Sequence, residues 1–292
     1  MKVKYNPKNN AFDDSDKECL LPHIMWHVTD QCPLNCKTCF DKGRSHTGGI
    51  MSPAQIEHNI SLLLKFGVQK IDISGGEPLL YPHLPYLIDC AQKNGVFVTL
   101  TTRGIGTPEN KEWVCKNWSK FTRLIISIDA GNKDVCDFYA GCSGVFGQTI
   151  SFCKELKKNG CNNLRINTVV NKCILDTQSQ QQLMGLINEI APLEWCLIEP
   201  HPANKLPTFD YYAVSSDEYE GYIESIVQES GKMATTLLFR RNSMYATYWT
   251  LYSDNKISRL SESDEYSFTA NLCEEQLGLI SEIMAKVDHL IP

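Results

Sequence analysis

The chain has 292 residues, 42% hydrophobic and 21% charged, an ordinary globular composition with enough sequence to bury a large core. Its 28 Lys and Arg against 34 Asp and Glu leave a net charge of −6, which excludes the basic stripe that a duplex nucleic-acid partner requires. Residues 1–22 lack the apolar core of a signal peptide, and no apolar run approaches the ~20 residues that span a bilayer, so a cytoplasmic protein without a membrane partner is expected. The 13 cysteines are scattered rather than arranged as a disulfide framework, and Cys90, Cys115 and Cys153 fall in helical patterns where a thiol packs as a small hydrophobe.

From residue 23 onward, short apolar runs alternate with amphipathic stretches. His23 to Thr29 reads as a first strand. Ser52 to Phe66 reads as a helix with Ser52 as cap, Pro53 at its first position and Gln55 completing a capping box, after which Gly67 stops it. Lys70 to Ser74, Val96 to Leu100, Leu124 to Ile128, Leu164 to Val170 and Trp195 to Ile198 continue as strands, with Phe146, Ile150, Cys153 and Leu156 along an intervening helix. After residue 200 the rhythm changes: prolines intervene, Asp217 to Gln228 looks helical, Tyr245 to Leu260 looks like a hairpin turned at Ser253-Asp254-Asn255, and a last helix is expected from Cys273 to Val287. The expected fold is α/β, an incomplete (β/α)6 TIM-like barrel over 23–200 preceded by an N-terminal segment, 1–22, and followed by a C-terminal α+β extension, 201–292, that covers the barrel.

Two motifs carry chemistry. Cys32, Cys36 and Cys39 place three thiols directly after the first strand, and thiolates are the ligands that iron–sulfur clusters take. Three ligands on a four-iron cluster leave one iron open to a small molecule. The alternative is a zinc-binding interaction module, with His46 as fourth ligand. After the second strand comes Ser74-Gly75-Gly76-Glu77-Pro78, whose glycines permit close backbone approach to a ligand and whose carboxylate suits an ammonium group. No Gly-x-Gly-x-x-Gly follows the first strand, which removes a dehydrogenase reading.

Together, at the ends of consecutive strands, the two motifs resemble those of the radical S-adenosylmethionine (SAM) enzymes. The resemblance implies a [4Fe-4S] cluster held by Cys32, Cys36 and Cys39, and SAM contacted by Phe40, Gly75, Gly76, Glu77, Pro78, Thr102, Ser127, Arg165 and Asn167. It also implies a one-electron donor such as flavodoxin or ferredoxin, reductive cleavage of SAM, and hydrogen abstraction by a 5′-deoxyadenosyl radical. Ala140 stands where relatives often carry Arg, which turns attention to Arg103 and Arg165 for the SAM carboxylate. The cysteines beyond Cys173, only Cys196 and Cys273, are too few for an auxiliary cubane. That leaves a small polar metabolite, nucleotide or sugar as substrate, with modification of a peptide or protein, such as epimerisation or crosslinking, as the alternative. The layout is loosely similar to viperins and molybdenum-cofactor cyclases, yet Glu194, Cys196 and Glu199 around the sixth strand argue against a triphosphate. Glu199, His201 and Tyr252 are the expected substrate contacts at the barrel mouth.

Overall fold

The computed structural model describes residues 3–6, 11–13, 23–39, 49–201, 206–241, 249–260 and 266–273. Strands β1 (Val3–Asn6), β2 (Ala11–Asp13) and β3 (His23–His27) lead into helix α1 (Pro53–Lys65). Then follow β4 (Lys70–Ser74), α2 (Leu84–Lys93), β5 (Phe97–Thr102), α3 (Pro108–Lys116), β6 (Arg123–Ser127), α4 (Lys133–Ala140), α5 (Val145–Lys158), β7 (Leu164–Val169), α6 (Thr177–Ile190) and β8 (Glu194–Ile198). The chain continues with α7 (Phe209–Tyr212), α8 (Ser216–Glu229), β9 (Thr236–Arg240), β10 (Trp249–Leu251), β11 (Lys256–Leu260) and β12 (Tyr266–Asn271). The helix expected from Cys273 to Val287 lies, beyond Cys273, outside the described residues.

Local chemistry accounts for the boundaries. Ser52 and Gln55 form the capping box of α1, the Gln55 amide donating to Ser52 Oγ at 3.3 Å and the Ser52 amide to Gln55 Oε1 at 2.8 Å. Ser215 and Glu218 form the same device at α8.

All the described strands belong to one sheet in the order β12-β11-β10-β3-β4-β5-β6-β7-β8-β9-β1-β2. The run from β10 through β3 to β9 is parallel at every pairing. The fold is therefore the expected open α/β barrel. The C-terminal part contributes more to the sheet than the pattern suggested, since β9 extends it beyond β8 and β10 pairs with β3 at the other edge. The β10–β11 hairpin turns at 253–255 as read from the sequence, and there Asn255 takes a φ of 66°.

Strand alternation divides the sheet into two faces. Leu164 and Ile166 of β7 and Trp195 and Leu197 of β8 are fully buried in the core beneath the helices, with Ile56, Ile60 and Leu63 of α1 and Cys153 and Leu156 of α5 packed there too. The intervening residues Arg165, Asn167, Val169, Cys196 and Ile198 line a cavity inside the barrel.

Candidate active site

The cavity has a volume of about 300 Å3 and lies within the barrel, its upper wall formed by the loop that follows β3. Cys32, Cys36 and Cys39 all line it, together with Gly75, Gly76, Glu77, Thr102, Arg103, Ser127, Asp129 and Asn167. The motifs after β3 and β4 thus meet, because parallel strands deliver their C-terminal ends to one side.

Backbone contacts explain how the cysteine loop is held. The amide of Asn35 donates to the Ala140 carbonyl at 2.9 Å and that of Lys37 to the Tyr139 carbonyl at 3.0 Å, so the C-terminal turn of α4 supports the middle of the loop. Gly141, at φ 65°, ends that helix in a space where a Cβ would lie 2.5 Å from the Asn35 carbonyl oxygen. Thr38 Oγ1 shares a short hydrogen bond with the buried Tyr139 hydroxyl, and Thr208 Oγ1 donates to the Lys37 carbonyl at 3.0 Å. From the other side, Ser253 Oγ donates to Asp30 Oδ2 at 2.9 Å, which ties the β10–β11 turn to the start of the loop.

The glycines serve this docking directly. A Cβ on Gly76 would meet the Gln31 carbonyl oxygen at 2.3 Å, and one on Gly75 would meet that of Thr29 at 2.5 Å. The Gly76 and Glu77 amides donate to those same two carbonyls, Thr29 and Gln31, at 2.7 Å each. The missing side chains thus make room for the cysteine loop, and both glycines also line the cavity.

Glu77 is buried, and each carboxylate oxygen has a donor. Oε1 accepts from the Leu79 amide at 3.0 Å and from the Thr102 hydroxyl, while Oε2 accepts from the Arg103 amide at 2.9 Å. Burial nonetheless outweighs these bonds and pushes its pKa up to about 7. Beside it, the Arg103 guanidinium pairs with Asp129, and its Nη2 lies 3.3 Å from Cys136 Sγ. Burial pushes the Cys36 thiol up to about 12, partly offset by the neighbouring Arg103 charge.

Pro78 is buried behind Glu77 at the start of a short turn and does not line the cavity. Ser127 and Asn167 are paired neighbours on β6 and β7, and Asn167 Oδ1 is a shielded acceptor that no protein donor reaches. Phe40 and His46 lie outside the described residues. Arg165 does line the cavity, but its Nε donates to Glu194 Oε2 at 2.6 Å.

The structure places the three expected substrate contacts elsewhere. Glu199 accepts a 2.6 Å hydrogen bond from Ser216 Oγ at the start of α8, and neither it nor His201 lines the cavity. Tyr252 is fully buried with its ring edge-on to His27 at 5.2 Å, behind the cavity wall. The cavity instead receives His27, Lys70, Arg123 and Arg240. The signal for Arg240 lay in the alternation of 236–240: Leu237 and Phe239 enter the core under the helices, so Leu238 and Arg240 face inward. The acidic reading of the sixth strand is also corrected, since Glu194 is paired with Arg165 at 2.6 Å and with Arg123 at 3.2 Å.

Three thiols of one loop sharing a cavity, with the middle one desolvated beside the Arg103 cation, suit an iron–sulfur cubane. Its thiolates bind three different irons and need not converge on a single point. Among the described residues no three His, Cys, Asp or Glu side chains converge tightly enough to hold one metal ion. Likewise, none of the described helices is long and apolar enough to cross a membrane.

An open parallel barrel that gathers three cysteines and a glycine-rich turn at its mouth defines a cluster-dependent enzyme class. The family model of the radical SAM superfamily matches residues 26–190, more than half of the chain, and the protein belongs to that superfamily. Members use a [4Fe-4S] cluster and SAM, and this chain is accordingly an enzyme. It is 24% identical over 214 residues to an S-adenosylmethionine-dependent nucleotide dehydratase of Flammeovirga pacifica, covering 70% of this chain and 72% of that one. It is 27% identical over 223 residues to a GTP 3′,8-cyclase of Petrotoga mobilis, covering 74% and 67%. Among solved structures, Streptococcus suis SuiB bound to its precursor peptide SuiA superposes with a TM-score of 0.63 at 16% identity, over 89% of this chain and 61% of SuiB. That likeness is one of fold, and this chain spans less than two thirds of SuiB.

Proposed function

We propose that the protein holds its cluster through Cys32, Cys36 and Cys39 and acts on a small polar metabolite, nucleotide or sugar. The observation that carries this reading is the cavity running from the cysteine loop down the inner faces of β3 to β9. A cluster held there and reduced by a one-electron donor such as flavodoxin or ferredoxin would supply the electron for cleavage of SAM to methionine and a 5′-deoxyadenosyl radical, which would take a hydrogen atom from the substrate. Glu77 receives the SAM ammonium group, and Thr102 with the Leu79 and Arg103 amides holds that carboxylate in place. Ser127 and Asn167 line the cavity and offer polar atoms to the rest of SAM, Asn167 Oδ1 being an acceptor that no protein donor reaches. The barrel wall excludes water from the reacting C–H bond.

An anaerobic screen for 5′-deoxyadenosine across nucleotides, sugars and short peptides tests the reading. A small polar compound is expected to accelerate its formation; acceleration by peptides alone would overturn the substrate class.

The Glu77 environment predicts a pH dependence. Burial raises the folded-state carboxyl from 4.5 to about 7, so the ligand-free fold loses stability as pH rises through that interval. SAM binding needs the ionised form, so its affinity rises as Glu77 loses its proton, by about tenfold between pH 6 and pH 8. Equilibrium binding of SAM to the reconstituted protein across this range is the check, and a flat profile would remove Glu77 from the ammonium site.

A further inference from the structure

A buried ion pair stands next to the cysteine loop. Arg103 follows the C-terminal end of β5 and Asp129 that of β6, the same end of the parallel sheet from which the loop after β3 arises. The guanidinium Nη1 pairs with Asp129 Oδ2, both residues line the cavity, and each is more than nine-tenths buried. The backbone of the pair is fixed. Thr149 Oγ1 donates to the Arg103 carbonyl at 2.8 Å while the Arg103 amide is taken by Glu77. Asp129 Oδ1 accepts from the Val169 amide at 3.0 Å, and the Asp129 carbonyl accepts from Asn171 Nδ2 at 3.1 Å.

The guanidinium also reaches α4, where its Nη2 lies 3.3 Å from Cys136 Sγ. One turn further along that helix, the Tyr139 and Ala140 carbonyls hold the amides of Lys37 and Asn35, the two residues that flank Cys36. Helix and loop thus bring the Arg103 charge next to the middle thiol. Of the charged groups around Cys36, Arg103 acts on it most strongly, ahead of Cys39 and Asp129. The Arg103 Nε is shielded from solvent and has no hydrogen-bond partner in the protein. Burying a donor without an acceptor is costly, which points to an anionic partner arriving in the cavity.

We propose that Arg103 tunes the cluster held by Cys32, Cys36 and Cys39, its buried charge, partly offset by Asp129, easing the entry of the electron. The inference rests on the cluster assignment proposed above. When the one-electron donor is oxidised and the cluster reduced, the site becomes one unit more negative in a place where water screens poorly. A fixed cation there favours the reduced form, and nearby charge, hydrogen bonding and burial are the protein's levers on such potentials. Asp129 acts on the same thiol in the opposite sense and more weakly.

The test is an anaerobic redox titration of reconstituted, SAM-free protein, followed through the electron paramagnetic signal of the reduced cluster. Arg103→Gln is expected to disfavour reduction by about tenfold, about 59 mV to lower potential for one electron, since a neighbouring charge moves an ionisation by about one unit or more. Asp129→Asn, which leaves the cation unopposed, is expected to move the midpoint the other way. Arg103→Lys keeps the charge and should stay within about threefold of wild type, as should Lys158→Gln on the exposed end of α5. Should Arg103→Gln fail to take up iron, Asp129→Asn and Arg103→Lys carry the test. A pair that merely held the loop in shape would lower iron content without shifts of opposite sign. A midpoint that Arg103→Gln leaves in place or raises, or that Asp129→Asn fails to raise, would overturn the proposal, as would loss of iron from all three variants of the pair. An unchanged midpoint with weakened SAM binding would assign Arg103 to the SAM carboxylate instead. Wild-type protein that loads iron but whose midpoint ignores Arg103 overturns this inference alone, whereas wild type that takes up no iron overturns the cluster assignment beneath it.

Discussion

Replacing Cys36 by alanine is expected to take anaerobically reconstituted protein from about four irons per chain to nearly none, with the visible charge-transfer absorption lost in parallel. The thiol stands in the middle of the three, beside Arg103, and burial holds it protonated before metal arrives. Metal binding must therefore displace that proton, so iron uptake should rise with pH. Cys32→Ala and Cys39→Ala should lose iron as well, because a cubane on two protein thiolates has two open corners and falls apart in water. Iron and zinc analysis of each variant is the measurement. Stoichiometric zinc in wild-type protein isolated without oxygen, with no iron taken up on reconstitution, would return the loop to an interaction module.

The second large effect belongs to a residue with no functional atom. Gly76→Val should cut iron content by more than half and abolish the effect of SAM on the paramagnetic spectrum of the reduced cluster. The new Cβ would sit 2.3 Å from the Gln31 carbonyl oxygen and 2.9 Å from the Asp30 carbonyl carbon, backbone atoms that no rotamer change can move. Overpacking of this kind costs typically about 1–3 kcal/mol, and here it falls on the segment leading into Cys32. Gly185→Ala, inside α6 where a Cβ meets nothing within 4 Å, is the control and should be neutral or stabilising. Normal iron content with only SAM binding impaired would mean that the glycine serves the ligand and not the loop.

Much of this was legible before the fold. The Cx3Cx2C spacing, the Gly-Gly-Glu turn and the 25 to 40-residue rhythm of strand and helix are local features, fixed by bonding and by short-range propensity. Thr102, Ser127, Arg165 and Asn167 followed from the family resemblance, and each does line the cavity. Glu199 and Tyr252 did not follow. Proximity in sequence to a strand end says nothing of which face a side chain takes: Glu199 turns to Ser216 of α8, and Tyr252 packs behind His27. Arg240 was passed over because β9 looked like part of an irregular tail, and the charge of Glu194 misled because its partners lie 71 and 29 residues away in sequence, at Arg123 and Arg165.

The sequence by itself determined the chemistry that lies within one loop: three thiolates in eight residues, and a carboxylate flanked by backbone that tolerates close approach. It also determined the parallel α/β architecture, since alternating periods of hydrophobicity leave few other ways to bury both kinds of face. Only the tertiary structure decided what the glycines of the second motif touch, how charges from β4, β6, β7, β8 and β9 sum inside one cavity, and which edge of the sheet each tail strand joins. Those are non-local quantities. They depend on pairing register and on the direction each side chain takes across the barrel, and both are set by packing among strands distant in the chain.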